Sequence, residues 1–140
     1  MTELSVNIEK TIDAPIERVF DAWMDPAMLT RFILPAPGMP QPEVSNDPRE
    51  GGRFEIIMQV GDDRLPHCGT YLVVERPHRL QFSWESAYST DDSKVTLEFS
   101  ALDESTTLVA LTHVKFLHEE ARSDHEGGWS NILDRLAEVA

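Results

Sequence analysis

The chain is short of cysteine and of positive charge. It has one cysteine, Cys68, in 140 residues, so no internal disulfide can form, and a reducing compartment is the expectation. Twelve Lys and Arg stand against twenty-five Asp and Glu, a net charge of −13. Such a surface repels phosphate backbones and anionic lipid heads, which argues against nucleic acid and membrane surfaces as partners. No apolar run approaches the ~20 residues of a membrane-spanning helix, so no membrane insertion is expected. The opening residues, Met1-Thr2-Glu3-Leu4, lack the basic and then apolar order of a secretory signal. These features together lead to the expectation of a cytoplasmic protein. Glycine-rich phosphate loops, serine-elbow motifs and internal repeats are also missing, so no motif calls for a nucleotide or another cofactor.

What is there is a change of period along the chain. Leu4, Val6, Ile8 and Ile12 alternate with polar residues, as on a half-buried strand. Asp13-Ala14-Pro15 then shifts the spacing, with Asp13 expected as a helix N-cap, and Ile16, Val19, Phe20 and Trp23 follow at helical intervals. Pro26 begins a second short helix carrying Leu29, Phe32 and Ile33. Four prolines between 35 and 42 mark an extended loop, read equally as a connector or as the rim of a cavity. A short strand near Val44 and a turn over residues 47–52 come next. Strand alternation then returns in Phe54-Ile56-Met58-Val60, in 65–75, in Leu80-Phe82-Trp84, in Val95-Leu97-Phe99 and in Val109-Leu111-His113, with residues 61–64 as a hairpin turn and 89–93 as a polar loop. In the last stretch, Trp129, Ile132, Leu133, Leu136 and Ala140 form one apolar face of a long helix, and Gly127-Gly128 is expected at its start.

One long amphipathic helix needs a sheet to receive its apolar face. A meander of about six antiparallel strands must curve, and a curved sheet around a helix encloses a space. The expected fold is α+β: one domain over residues 1–140, a curved antiparallel sheet wrapped around a long C-terminal helix, with two short helices after the first strand.

Several local patterns match a known family in order. They are Ile12-Asp13-Ala14-Pro15 with Val19-Phe20-Asp21-Ala22-Trp23, then Arg49-Glu50-Gly51-Gly52-Arg53-Phe54 and Gly69-Thr70-Tyr71-Leu72. Pro77-His78-Arg79-Leu80-Gln81-Phe82-Ser83-Trp84, Leu111-Thr112-His113 and Gly128-Trp129 with Leu133-Asp134-Arg135-Leu136 complete the set. The chain resembles the START-like, or SRPBCC, superfamily with its helix-grip fold, in the branch named after the activator of a heat-shock chaperone's ATPase. The resemblance implies a domain that holds a small apolar or amphipathic molecule between sheet and helix. It supplies no universal catalytic residue. The chain departs at Phe32-Ile33, where relatives often carry tryptophan.

The expected lining of that space is Trp23, Phe32, Leu34, Phe54, Ile56, Met58, His67, Tyr71, Phe82, Trp84, His113, Trp129 and Leu133. A hydrophobic or aromatic small molecule is the expected partner, with His113, Tyr71 or His67 fixing its orientation. Core packing is the competing reading for each of these residues, for Trp84 above all. His113 shares a face with Val109 and Leu111. It reads either as a hydrogen-bonded core histidine or as the acid/base of a polyketide cyclase- or dehydratase-like enzyme. The spacing of His113, His118 and His125 matches no compact metal motif, so no metal is expected. Cys68 has no activating neighbour in sequence. A co-chaperone or protein-interaction module is a third reading, and exposed edge strands are compatible with a homodimer.

Overall fold

A computed structural model describes residues 5–33, 40–60, 62–85, 89–116 and 119–140. Seven strands and three helices follow in the order β1 (Ser5–Ile12), α1 (Ile16–Ala22), α2 (Pro26–Phe32), β2 (Glu43–Asn46), β3 (Arg53–Val60), β4 (Asp63–Glu75), β5 (Arg79–Ser83), β6 (Ser89–Asp103), β7 (Thr106–Phe116) and α3 (Glu119–Val139). The strands form one antiparallel sheet in the order β1-β7-β6-β5-β4-β3-β2. From β2 to β7 the sheet is a meander, and β1 closes it at the β7 edge. This is the α+β helix-grip arrangement: a curved sheet with the long C-terminal helix across its inner face.

Strand alternation sets that inner face. Val6 and Ile12 of β1, Phe54, Ile56 and Met58 of β3, Leu80 and Phe82 of β5, Val95, Leu97 and Phe99 of β6, and Val109 and Leu111 of β7 are all buried. α3 meets them with Trp129, Ile132, Leu133 and Leu136, also buried, while Asp134, Arg135 and Glu138 stay exposed. Burying one such aliphatic side chain contributes about 1.5–3 kcal/mol, so this stripe holds the helix in place far more firmly than its surface ion pairs do. Lys10 of β1 reaches Asp134 at 2.9 Å across the edge of the interface. That pair is half-exposed and ranks as a minor stabiliser.

Three local features differ from the expectation. α1 begins at Ile16 with Pro15 in the cap position and no side-chain cap bond, so Asp13 does not cap it. The proline fixes the entry angle instead, and a cap hydrogen bond appears at α2, where the Asp25 carboxylate accepts from the Ala27 N–H at 2.9 Å. Residues 89–93 belong to β6 rather than to a loop. Their polar composition hid the pairing, which is irregular between Ser89 and Lys94. Gly127 and Gly128 lie within α3, not at its start. Each costs about 1 kcal/mol there relative to alanine. The helix reaches back to Glu119, and its first turn is supported by two acidic residues at the positive end of the dipole.

Two glycines position the inner face near the site. Gly51 takes a φ of 83° in the turn before β3, and its N–H bonds the Tyr71 carbonyl at 2.8 Å. Gly69 of β4 pairs with Phe54 of β3. A Cβ there would come within 2.7 Å of the Phe54 ring and 2.0 Å of the Ser83 carbonyl oxygen. The missing side chain lets the Phe54 ring lie down on β4.

Candidate functional site

β3 to β5 carry an aromatic inner surface. Phe54 meets Phe82 edge-on at 5.2 Å and lies 5.3 Å from Tyr71. Trp84 follows β5, kept in register by the Cys68–Glu85 bridge. It is the hub of the cluster, 5.1 Å from His67 and 5.1 Å from Trp129 by ring centroids. From the helical side, Trp23 at the end of α1 stands 5.0 Å edge-on from Phe32 and 6.4 Å from Trp129.

Among the described residues, two hollows lie between these layers, with Trp84 as their common wall. The one on the α2 side measures about 20 Å³ and is lined by Trp23, Leu29, Ile33, Phe54, Ile56, Tyr71, Phe82 and Trp84. It has room for a single water-sized group. The one on the α3 side measures about 130 Å³ and is lined by Met58, His67, Trp84, Asp124, His125, Gly128, Trp129 and Ile132. An apolar cavity of ~150 Å³ suffices for a benzene-sized guest, so this hollow fits one small ring system.

Nine of the expected lining residues therefore border one hollow or both. Phe32, His113 and Leu133 border neither. Phe32 backs Trp23, Leu133 belongs to the helix stripe, and both are fully enclosed. Leu34 falls outside the described residues. Sequence reasoning did not place Leu29 and Ile33 of α2, or Asp124, His125 and Ile132 of α3, on the lining. His125, Gly128, Trp129 and Ile132 repeat at 0, 3, 4 and 7, a helical stripe that would have identified them.

His113 does point inward, and its surroundings decide its chemistry. Its ring is fully buried. The Trp129 indole N–H donates to Nδ1 at 2.9 Å, and Ser93 Oγ lies 2.7 Å from Nε2. An indole N–H is only a donor, so Nδ1 is the unprotonated nitrogen. The neutral ring then carries its proton on Nε2 and donates it to Ser93. Burial, followed by the nearby His125, lowers the His113 pKa to about 3. A histidine held neutral in this way has no proton to give as an acid near pH 7, and its basic nitrogen is occupied by Trp129. The packed, hydrogen-bonded reading fits it. Ser93 was missed because 89–93 read as a loop, although it shares strand parity with Val95, Leu97 and Phe99.

The other orienting candidates differ from one another. Tyr71 is buried, and its hydroxyl accepts from Asn46 Nδ2 at 3.0 Å. Burial raises its pKa in spite of that bond. His67 has its Nδ1 3.1 Å from the Leu65 carbonyl oxygen, and burial, with a smaller contribution from His125, lowers its pKa. His67 thus borders the larger hollow as a largely neutral ring, and Tyr71 borders the smaller one. Among the described residues, no group of three or more His, Cys, Asp or Glu is placed to hold a metal ion, and no helix is long and apolar enough to cross a membrane.

A sheet gripping a C-terminal helix, with an aromatic hollow between them, defines a START-like protein. Within that class the chain belongs to the family described as activator of Hsp90 ATPase homolog 1-like protein, whose model matches residues 13–140. CalU16 from Micromonospora echinospora is 30% identical, with 96% of this chain and 74% of that chain covered at a TM-score of 0.73. The solution structure of an AHSA1-like protein from Aeromonas hydrophila is 27% identical, with 96% and 90% covered at 0.79. SA2116 from Staphylococcus aureus, described as of unknown function, superimposes at 0.82 over 99% and 93% with 16% identity, a likeness of fold alone. No curated protein sequence matches the chain.

Proposed function

We propose that the protein binds a small, neutral, hydrophobic or aromatic molecule between its sheet and α3. The observation that carries this reading is the α3-side hollow of about 130 Å³, walled by Trp84, Trp129, Met58 and Ile132. Small apolar walls with a few polar groups at the margin, here His67, His125 and Asp124, are the usual make-up of a ligand pocket. Affinity would come mainly from apolar burial at ~25 cal/mol per Å². Among the described residues, no Lys or Arg lines either hollow, which favours a neutral guest. A cyclase-like acid/base role gains no support from His113, whose ring is held neutral behind Trp129. The half-buried free thiol of Cys68 suits a reducing setting, and the cytoplasm is the compartment we assign.

The test uses Met58, which borders the hollow and is 5% exposed. Titration with indane, a single small fused ring, followed by calorimetry should show saturable uptake by the native protein. A folded Met58→Arg variant should take up none, because a charged side chain would fill the hollow. Equal uptake by both proteins, or none by the native one, would overturn the reading.

A further inference from the structure

Three tryptophans border the hollows, and among the described residues only Trp129 finds an acceptor for its N–H. Trp129 donates to His113. Trp23 and Trp84, 2% and 3% exposed, have no acceptor for Nε1–H among the described residues. An indole N–H in a core nearly always finds a partner, because leaving it unpaired forfeits its hydration with nothing in return. Two such donors on the walls of one hollow are an unusual concentration, and both Trp23 and Trp84 line the α2-side hollow. The remaining polar group on its wall is the Tyr71 hydroxyl, which already accepts from Asn46 and so has a proton to offer. The rest of the wall is Leu29, Ile33, Ile56 and phenylalanine. Among the described residues, the wall of this hollow of about 20 Å³ thus includes donor-bearing side chains and no carboxylate or amide side chain.

We infer that the bound molecule carries an uncharged hydrogen-bond-accepting oxygen, of the ketone, aldehyde or ester type, and seats that oxygen against the unpartnered Trp23 and Trp84 indoles. The inference rests on the ligand-binding reading above and makes it more specific. The size of the smaller hollow admits one carbonyl oxygen. An amine would bring a second donor into a site of donors. A carboxylate would enter an acidic protein past Asp124 with no cation on the walls to meet it.

The experiment compares 1-indanone with indane, its hydrocarbon counterpart, and with indane-1-carboxylate and 1-aminoindane. Binding is followed by calorimetry and by the indole 1H–15N resonances of the intact protein, assigned with Trp23→Phe, Trp84→Phe and Trp129→Phe variants. The expected result is that 1-indanone binds about tenfold or more tighter than indane, and that the carboxylate and amine bind more weakly than the ketone. The Trp23 and Trp84 N–H signals should move downfield on adding the ketone, with Trp129 nearly unchanged. Trp23→Phe should reduce the ketone's advantage over indane. The resonances of the native protein answer the question even where a variant folds poorly. Equal binding of ketone and hydrocarbon with unmoved indole signals would overturn the carbonyl assignment and leave the hydrophobic-ligand reading standing. Binding by neither would overturn both.

Discussion

The two ends of the space under α3 treat the same chemical group in opposite ways. At the His113 end the Trp129 N–H, both ring nitrogens of the histidine and the Ser93 hydroxyl form one chain of hydrogen bonds, all of it buried. At the Trp84 end two indole N–H groups are just as deeply buried and have no described acceptor. A satisfied buried network fixes a single packing arrangement, whereas an unsatisfied donor raises the energy of the empty state. On the reading proposed above, the difference separates a part of the core built for stability from a part whose polar groups await a partner. It also shows how an inward histidine, the most conspicuous chemical group in the sequence, can be packed and hydrogen-bonded, while on the proposed reading two apolar-looking tryptophans would carry the specificity.

Three experiments bear on this contrast, taken from the largest expected effect downward. His113→Ala removes a fully buried ring and strands both the Ser93 hydroxyl and the Trp129 N–H, so it should destabilise the fold by about 3–5 kcal/mol in urea titrations. A cost under about 1 kcal/mol would mean that this end is not the rigid one.

Acidification should weaken the protein through the same residue. The folded pKa of His113 is about 3 against an ordinary value of 6.5, so between these values the unfolded chain binds a proton that the folded chain refuses. Stability present above pH 6.5 is then lost as pH falls, by about 1.4 kcal/mol per pH unit. His67, whose pKa is also lowered by burial, adds to the loss in the same direction. Urea midpoints measured from pH 7.5 to pH 5 should show that slope, and His113→Gln, which keeps one donor and one acceptor, should flatten it. A slope unchanged in the variant would assign the titration to other groups.

The third comparison uses one substitution at two places. Trp129→Phe and Trp84→Phe delete the same atoms from equally buried sites. The first leaves His113 Nδ1 without its donor, and the second removes an N–H that has no partner among the described residues. Trp129→Phe should therefore cost more, by about 1–3 kcal/mol. Equal costs would abolish the distinction between the two ends.

The sequence carried the architecture in its periods. Val95-Leu97-Phe99 and Val109-Leu111-His113 alternate so regularly that their inward face was legible residue by residue, and so was the helical stripe from Trp129 to Leu136. The arrangement inside that face was not. Which of Phe32, Leu133 and Trp84 borders a hollow depends on differences of one side-chain radius, and periodicity does not resolve those. Ser93 was obscured because strand pairing overrode a polar local composition. Gly128 looked like a helix start because its propensity cost is local, whereas the packing that outweighs it comes from Trp129, Ile132 and Leu136 further along α3. The partner of His113 was out of reach for the same reason: Ser93 and Trp129 meet it only once β6 and α3 have docked on β7.

Native mass spectrometry of freshly purified protein, set against the same sample denatured and extracted, tests the central claim most directly. The account predicts a folded species heavier than the chain by one small neutral molecule, lost on denaturation and excluded by Met58→Arg. A bare folded mass that stays bare after incubation with 1-indanone and with indane would contradict it, and would make the space between sheet and α3 part of the core.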